Sequence, residues 1–183
     1  TLLTTLKQDP YALETAYVSV ITFDSTARQT VPLTDLLNFN LPSFSASGTT
    51  ALGEALSLTA NRIDAEVQKT TAETKGDWRP LVFLMTDGGP TDDWRKGLNE
   101  FKAAKKGVVV ACAAGHDADT GVLKEITEIV LQLDTADSSS IKAFFKWVSA
   151  SVSVGSQKVD AGKKEVIGLD DLPPPPPEVN VVL

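Results

Sequence analysis

Asp87 stands one residue after an unbroken apolar run, Leu81 to Met85, and directly before Gly88, Gly89 and Pro90. The run lacks helical spacing and fits a strand buried on both faces of a parallel sheet. Thr86 and Asp87 then fall at its carboxyl end, where open α/β sheets place their sites, beside glycines that let backbone or ligand come close. A second set of oxygens lies at Thr49 and Thr50, ahead of a segment whose apolar residues Leu52, Leu56, Ala60, Ile63 and Val67 recur at the spacing of an amphipathic helix. Strand end and helix start emerge at the same edge of such a sheet. A carboxylate and hydroxyls with room for water are the ligand set of a hard octahedral cation such as Mg²⁺. Singly, each has a plainer reading: Thr50 as a helix N-cap, Asp87 as an Asx turn or cap before the glycines. The pairing carries the metal reading.

The elements that must hold this pair follow from the rest of the pattern. Thr1 to Lys7 places Leu2, Leu3 and Leu6 on one helical face, and Asp9-Pro10 is read as its end. Tyr17 to Phe23 is β-branched and aromatic, and Arg28 to Leu33 pairs with it through Asp24-Ser25-Thr26 as a hairpin, with Pro32 at an edge. Thr34-Asp35 caps the turn Leu36-Leu37, and Asn38 to Gly48 is a loop. Thr91-Asp92-Asp93 is expected to cap a helix carrying Trp94, Leu98 and Phe101, with Lys102, Lys105 and Lys106 near the end where the dipole favours cations. Val108 to Ala113 is a second apolar strand and Ile129 to Leu133 a third, separated by a short helix capped by Asp119 or Thr120. Ser138 to Ser140 open a final helix with Ile141, Phe144, Phe145 and Val148 on one face and Trp147 beside it. Alternating helices and buried strands make an α/β, Rossmann-like, mostly parallel sheet with one antiparallel edge strand and helices on both faces. The domain is expected over 1–156, followed by a polar, Pro-rich tail over 157–183. There, five consecutive prolines, Pro173 to Pro177, exclude both helix and ladder and serve as a spacer or as a ligand for an aromatic groove.

Composition narrows the function. The chain has 183 residues, 42% hydrophobic and 22% charged, with net charge −7. The acidic balance argues against a broad electrostatic grip on nucleic acid or on anionic membrane. No apolar stretch approaches the ~20 residues of a membrane-spanning helix. Cys112 is the only cysteine and lies in an apolar strand, so no internal disulfide forms, which is compatible with the cytoplasm.

Catalytic readings centre on the same aspartate. Asp87 as a phosphotransfer or hydrolytic nucleophile needs a second acid and a lysine on the rim, for which Asp92, Asp93 and Lys96 are the candidates. Those residues are better explained as the cap and first turns of a helix. There is no phosphate-binding G-x-x-x-x-G-K-[ST] or G-x-G-x-x-G loop. His116, the only histidine, has no nucleophile elbow. Asp117-x-Asp119-x-Gly121 with Glu128 lacks the glycine of a calcium loop, since Val122 stands there.

Ser45 to Leu56 (SASGTTALGEAL) and Pro80 to Asp92 (PLVFLMTDGGPTD) resemble the second and third parts of the metal-ion-dependent adhesion site (MIDAS) of a von Willebrand factor A (VWA) domain. Val108 to Asp119 and Ile141 to Ser153 resemble tellurium-resistance VWA proteins of the TerY type. The resemblance runs from Thr1 to about Ser156. It implies that Thr50 supplies a threonine oxygen to Mg²⁺ or Mn²⁺, with Thr49 as the alternative, and Asp87 an aspartate, often through water. It also implies a sixth metal position filled by an acidic residue of a partner protein, no enzymatic activity, and a setting in stress response with a kinase and a phosphatase. The family's Asp-x-Ser-x-Ser motif and the first strand before it are missing. Asp24-Ser25-Thr26 has the wrong spacing and joins antiparallel strands. The expectation is that the first strand precedes Thr1 in a longer protein, and that this chain alone holds the metal weakly or not at all. An unfilled central slot would also invite oligomerisation or strand donation.

Overall fold

The computed structural model describes residues 6–41, 43, 48–162, 166 and 168–182. Most of the helix expected over Thr1 to Lys7 lies outside them. A helix α1, Pro10–Thr15, begins where the sequence suggested an end, because Asp9 caps it through the amides of Tyr11 and Ala12 and proline sits at its first turn. β1 (Tyr17–Phe23) and β2 (Ala27–Asp35) form an antiparallel hairpin with irregular register around Val20. After α2 (Leu52–Glu66) come β3 (Val82–Thr86), α3 (Trp94–Ala103), β4 (Val109–Ala114), α4 (Thr120–Ile126), β5 (Ile129–Leu133), α5 (Ser138–Asp160) and β6 (Val179–Val181). β3, β4 and β5 are parallel, and β6 closes the row antiparallel to β5. The fold is Rossmann-like α/β, with a mostly parallel sheet and a small antiparallel one.

Period-two alternation divides the core. Val109, Ala111 and Ala113 of β4 face Leu52, Leu56, Trp94, Leu98, Phe101 and Leu123 on one side. Val108, Val110, Cys112 and Ala114 face Phe144, Trp147 and Val148 of α5 on the other. Every residue of β4 is buried. Burial in this apolar layer pushes the Cys112 thiol up to about 12. At the end of α3, Lys106 Nζ donates to the Phe101 carbonyl at 2.5 Å, as a cation at a helix C-terminus should.

Two departures from the sequence reading matter. β3 was expected to be buried on both faces, yet Val82 to Met85 are only half-buried. The hairpin and the four-stranded sheet share no ladder, so one margin of β3 lies along an apolar groove of about 560 Å³ between it and β1. The second departure is at the end of the chain. α5 runs through Gly155, which packs beside Leu81. Beyond it, the segment folds back: Leu172 and Val179 are buried, the Trp147 indole donates to the Pro173 carbonyl at 2.7 Å, and Lys158 pairs with Asp171 at 2.6 Å. The proline run itself carries neither helix nor strand, as expected.

Candidate metal centre

Thr50 and Asp87 lie on two connections that hydrogen bonds bind into one unit. The Thr50 amide donates to Thr91 Oγ1 at 3.0 Å, and the Thr91 amide donates back to the Thr50 carbonyl at 2.9 Å. This clamp brings the loop that follows Asp87 against the start of α2. A side chain at Gly88 would place its Cβ 3.2 Å from Thr50 Oγ1, so glycine leaves the hydroxyl uncrowded there. Thr49 turns the other way, its amide and hydroxyl donating to Ser25 Oγ at 3.3 and 3.4 Å. Of the two threonines, Thr50 is the one that neighbours the aspartate's loop. Asp87 is exposed at the carboxyl end of β3, and Gly89, two residues on, approaches Asp119 across the rim.

Asp92 does what the sequence assigned to a cap, but for another helix. Its carboxylate accepts from the amides of Gly53 and Glu54 at 3.0 and 2.9 Å, satisfying the free N-terminus of α2. α3 has Asp93 at its cap position with no side-chain hydrogen bond, and α2 has Ala51 at its own with none either. The expectation that Thr91-Asp92-Asp93 caps its own helix is therefore corrected. The physical reason is a glycine crossing: a Cβ at Gly97 would lie 2.0 Å from the Gly53 carbonyl oxygen, so the two backbones touch and Asp92 reaches α2.

The hairpin turn reaches the same rim. The Asp24 carbonyl accepts from the Ala51 amide at 2.7 Å, and Gly48, at φ +91°, sits where a Cβ would strike Ser25 Oγ. Sequence reasoning missed Thr91, Asp92 and Ser25 as parts of this assembly. The signal available was the Thr-Asp doublet itself, read correctly as capping chemistry and assigned to the nearer helix.

The oxygens on these two joined connections, a threonine hydroxyl and a carboxylate, are of the hard kind that suits Mg²⁺ or Mn²⁺. Among the described residues no group of three or more His, Cys, Asp or Glu converges to hold a metal. Thr50 and Asp87 thus fit part of an octahedral set. They do not make a complete one. His116 is exposed and lies outside the Thr50–Asp87 unit, and Asp119 caps α4 through the Val122 amide at 3.1 Å.

The von Willebrand factor type A domain model matches residues 2–147. The chain belongs to this family. VWA domains are commonly protein-interaction modules with a metal site. Two solved structures share the fold. Proximal thread matrix protein 1 from the mussel byssus superposes with TM-score 0.57 at 17% identity, over 81% of this chain and 40% of that one. A von Willebrand factor type A protein from Catenulispora acidiphila superposes with TM-score 0.55 at 16% identity, over 82% and 38%. The chain thus spans about two fifths of the length of these two proteins. Among curated proteins none matches it. Among the described residues no helix is long and apolar enough to cross a membrane.

Proposed function

We propose that this VWA domain is a non-enzymatic recognition module of the TerY type, in which Thr50 and Asp87 contribute to a MIDAS-like site for Mg²⁺ or Mn²⁺ that recruits an acidic partner protein. The observation that carries the reading is the reciprocal Thr50–Thr91 clamp, which seats a hydroxyl beside the loop of an exposed carboxylate. The ion would supply a Lewis-acidic position for a partner carboxylate. Thr50 orients one oxygen, Asp87 offers charge directly or through water, and Thr49 lies on the outer side, bonded to Ser25. The remaining ligands come from outside these residues, in keeping with the absent Asp-x-Ser-x-Ser loop. By the same resemblance the setting is cytoplasmic stress response and tellurium resistance, with a kinase and a phosphatase as partners.

The phosphotransfer alternative is weakened by Asp92, whose carboxylate is held by the amides of Gly53 and Glu54 as the cap of α2. A scaffold acting through the proline segment is weakened by Leu172, Val179 and the Trp147–Pro173 bond, which turn that segment inward.

Calorimetric titration with Mg²⁺ and Mn²⁺ tests the metal reading on this chain and on a form extended upstream of Thr1. The expected result is weak or no uptake here, clear uptake in the longer form, and its loss in Asp87→Ala. No uptake by either form would reduce Thr50 and Asp87 to parts of a cap and a turn. Incubation with acetyl phosphate addresses the rival, because a nucleophilic Asp87 would gain the mass of a phosphoryl group.

A further inference from the structure

The connection after β3 carries the one Asp-Gly pair of the chain, Asp87-Gly88, and the chain has no Asn-Gly pair. In such a pair the glycine amide nitrogen can close a succinimide ring on the aspartate carboxyl carbon, because no Cβ on the following residue shields it. Hydrogen bonds that fix either group prevent the approach, and they fix the other aspartates of the rim. Asp24 Oδ1 accepts from the Thr26 amide at 3.1 Å, and Asp119 Oδ1 from the Val122 amide at 3.1 Å. Asp137 Oδ1 accepts from the amides of Ser139 and Ser140 at 2.7 and 2.9 Å, and Asp92 is held across the start of α2. Asp87 differs on each count. It is exposed, and among the described residues no hydrogen bond holds its carboxylate. The Gly88 amide meets only the Thr86 hydroxyl, at a long 3.4 Å. On the side where a Cβ would stand at Gly88, Thr50 Oγ1 is the one neighbour among the described residues.

We propose that Asp87-Gly88 is a covalent modification site, at which the folded chain converts aspartate to isoaspartate without an enzyme. The Gly88 nitrogen attacks Asp87 Cγ. The N–Cγ bond forms, a Cγ–O bond breaks, and that oxygen departs with the amide proton as hydroxide. Hydroxide then opens the ring. Attack at Cγ restores aspartate. Attack at the backbone carbonyl carbon of Asp87 breaks its bond to the Gly88 nitrogen and leaves the chain running through Cβ and Cγ. Mass and net charge are unchanged, and no oxidant or cofactor is consumed. What changes is the geometry of the rim. The backbone gains a methylene and the side chain loses one, so the carboxylate is drawn in from the end of β3. The step uses this chain and water alone, and stands whether or not the rim holds an ion. Its product is an isoaspartyl α-carboxylate, the methyl acceptor of repair methyltransferases that use S-adenosylmethionine.

The test incubates the folded 183-residue chain at neutral pH without added metal. Isoaspartate is followed by methylation with an isoaspartyl methyltransferase and radiolabelled S-adenosylmethionine, and each site is placed by peptide mapping with electron-transfer fragmentation. Isoaspartate at Asp87 should accumulate several-fold faster than at Asp24, Asp119 or Asp137, while circular dichroism shows the chain still folded. Gly88→Ala should slow it several-fold, since a Cβ then shields the amide. Asp87→Glu keeps the carboxylate but needs a larger ring, and should abolish the signal. Accumulation at Asp87 no faster than at the three held aspartates, an unchanged rate in Gly88→Ala, or formation only after unfolding in urea would each overturn the proposal. So would label in this segment that persists in Asp87→Glu.

Discussion

The two margins of the four-stranded sheet make an instructive pair. At one, β5 would end the sheet, but the segment after the proline run returns as β6, and Val130, Leu131 and Leu133 are fully buried. At the other, β3 carries a sequence at least as apolar, Val-Phe-Leu-Met, and stays half-buried. Hydrophobicity decides that a strand forms. What pairs beside it decides whether water is excluded. An edge covered by a short antiparallel strand is protected, while an uncovered one remains a template for pairing.

The sharpest way to break this comparison is to put the same charge into both places. Ala111→Asp buries a carboxylate without a partner and should cost about 3–5 kcal/mol, enough to unfold most of the population. Met85→Asp at the open margin should cost distinctly less in the same urea titration. Equal losses would mean that the margin of β3 is not open. Next in size, Leu172→Ala removes a buried contact beneath the covered margin, with an expected loss of about 2 kcal/mol. Faster exchange should appear in β5 and β6 and not in β3.

Trp147→Phe removes the bond to the Pro173 carbonyl and should cost about 1 kcal/mol while leaving the ring packing largely in place. The smallest effect at neutral pH concerns the strand between the margins. The Cys112 thiol is raised from 9.0 to about 12 by burial, so its contribution to stability is fully present below pH 9 and is lost as pH rises toward 12. Ellman's reagent should therefore leave native Cys112 untouched at pH 8 and label it fully in denaturant. Rapid labelling of the folded chain would show that β4 is reached from the groove.

Much of this was legible in the residues. The runs Tyr17 to Phe23 and Ile129 to Leu133 are the strands β1 and β5 to the residue, because β-branched and apolar clusters bounded by polar turns leave little choice. The Asp119 cap was equally local. What escaped was non-local. Nothing near Asp92 says that its carboxylate serves a helix some forty residues earlier, since that depends on Gly53 and Gly97 letting two backbones touch. Asp9-Pro10 was read as a stop because proline disfavours helix in the residue before it, but the same proline suits a first turn. β6 is too short to announce itself, and takes its conformation from β5. At the site, Thr50 and Asp87 could be singled out by type and place. The clamp through Thr91 that unites them could not.

The borrowed cap has a consequence for how the molecule comes into being. While the chain is being synthesised, α2 is complete long before the residues that satisfy its first amides have been made. Its N-terminus stays frayed until β3 has formed and Asp92 has swung back across that interval, a closure whose entropic cost is met only when the two helices cross. Helix, strand and rim loop should consequently become stable in a single late step, and a nascent chain halted before Asp92 should show α2 unprotected.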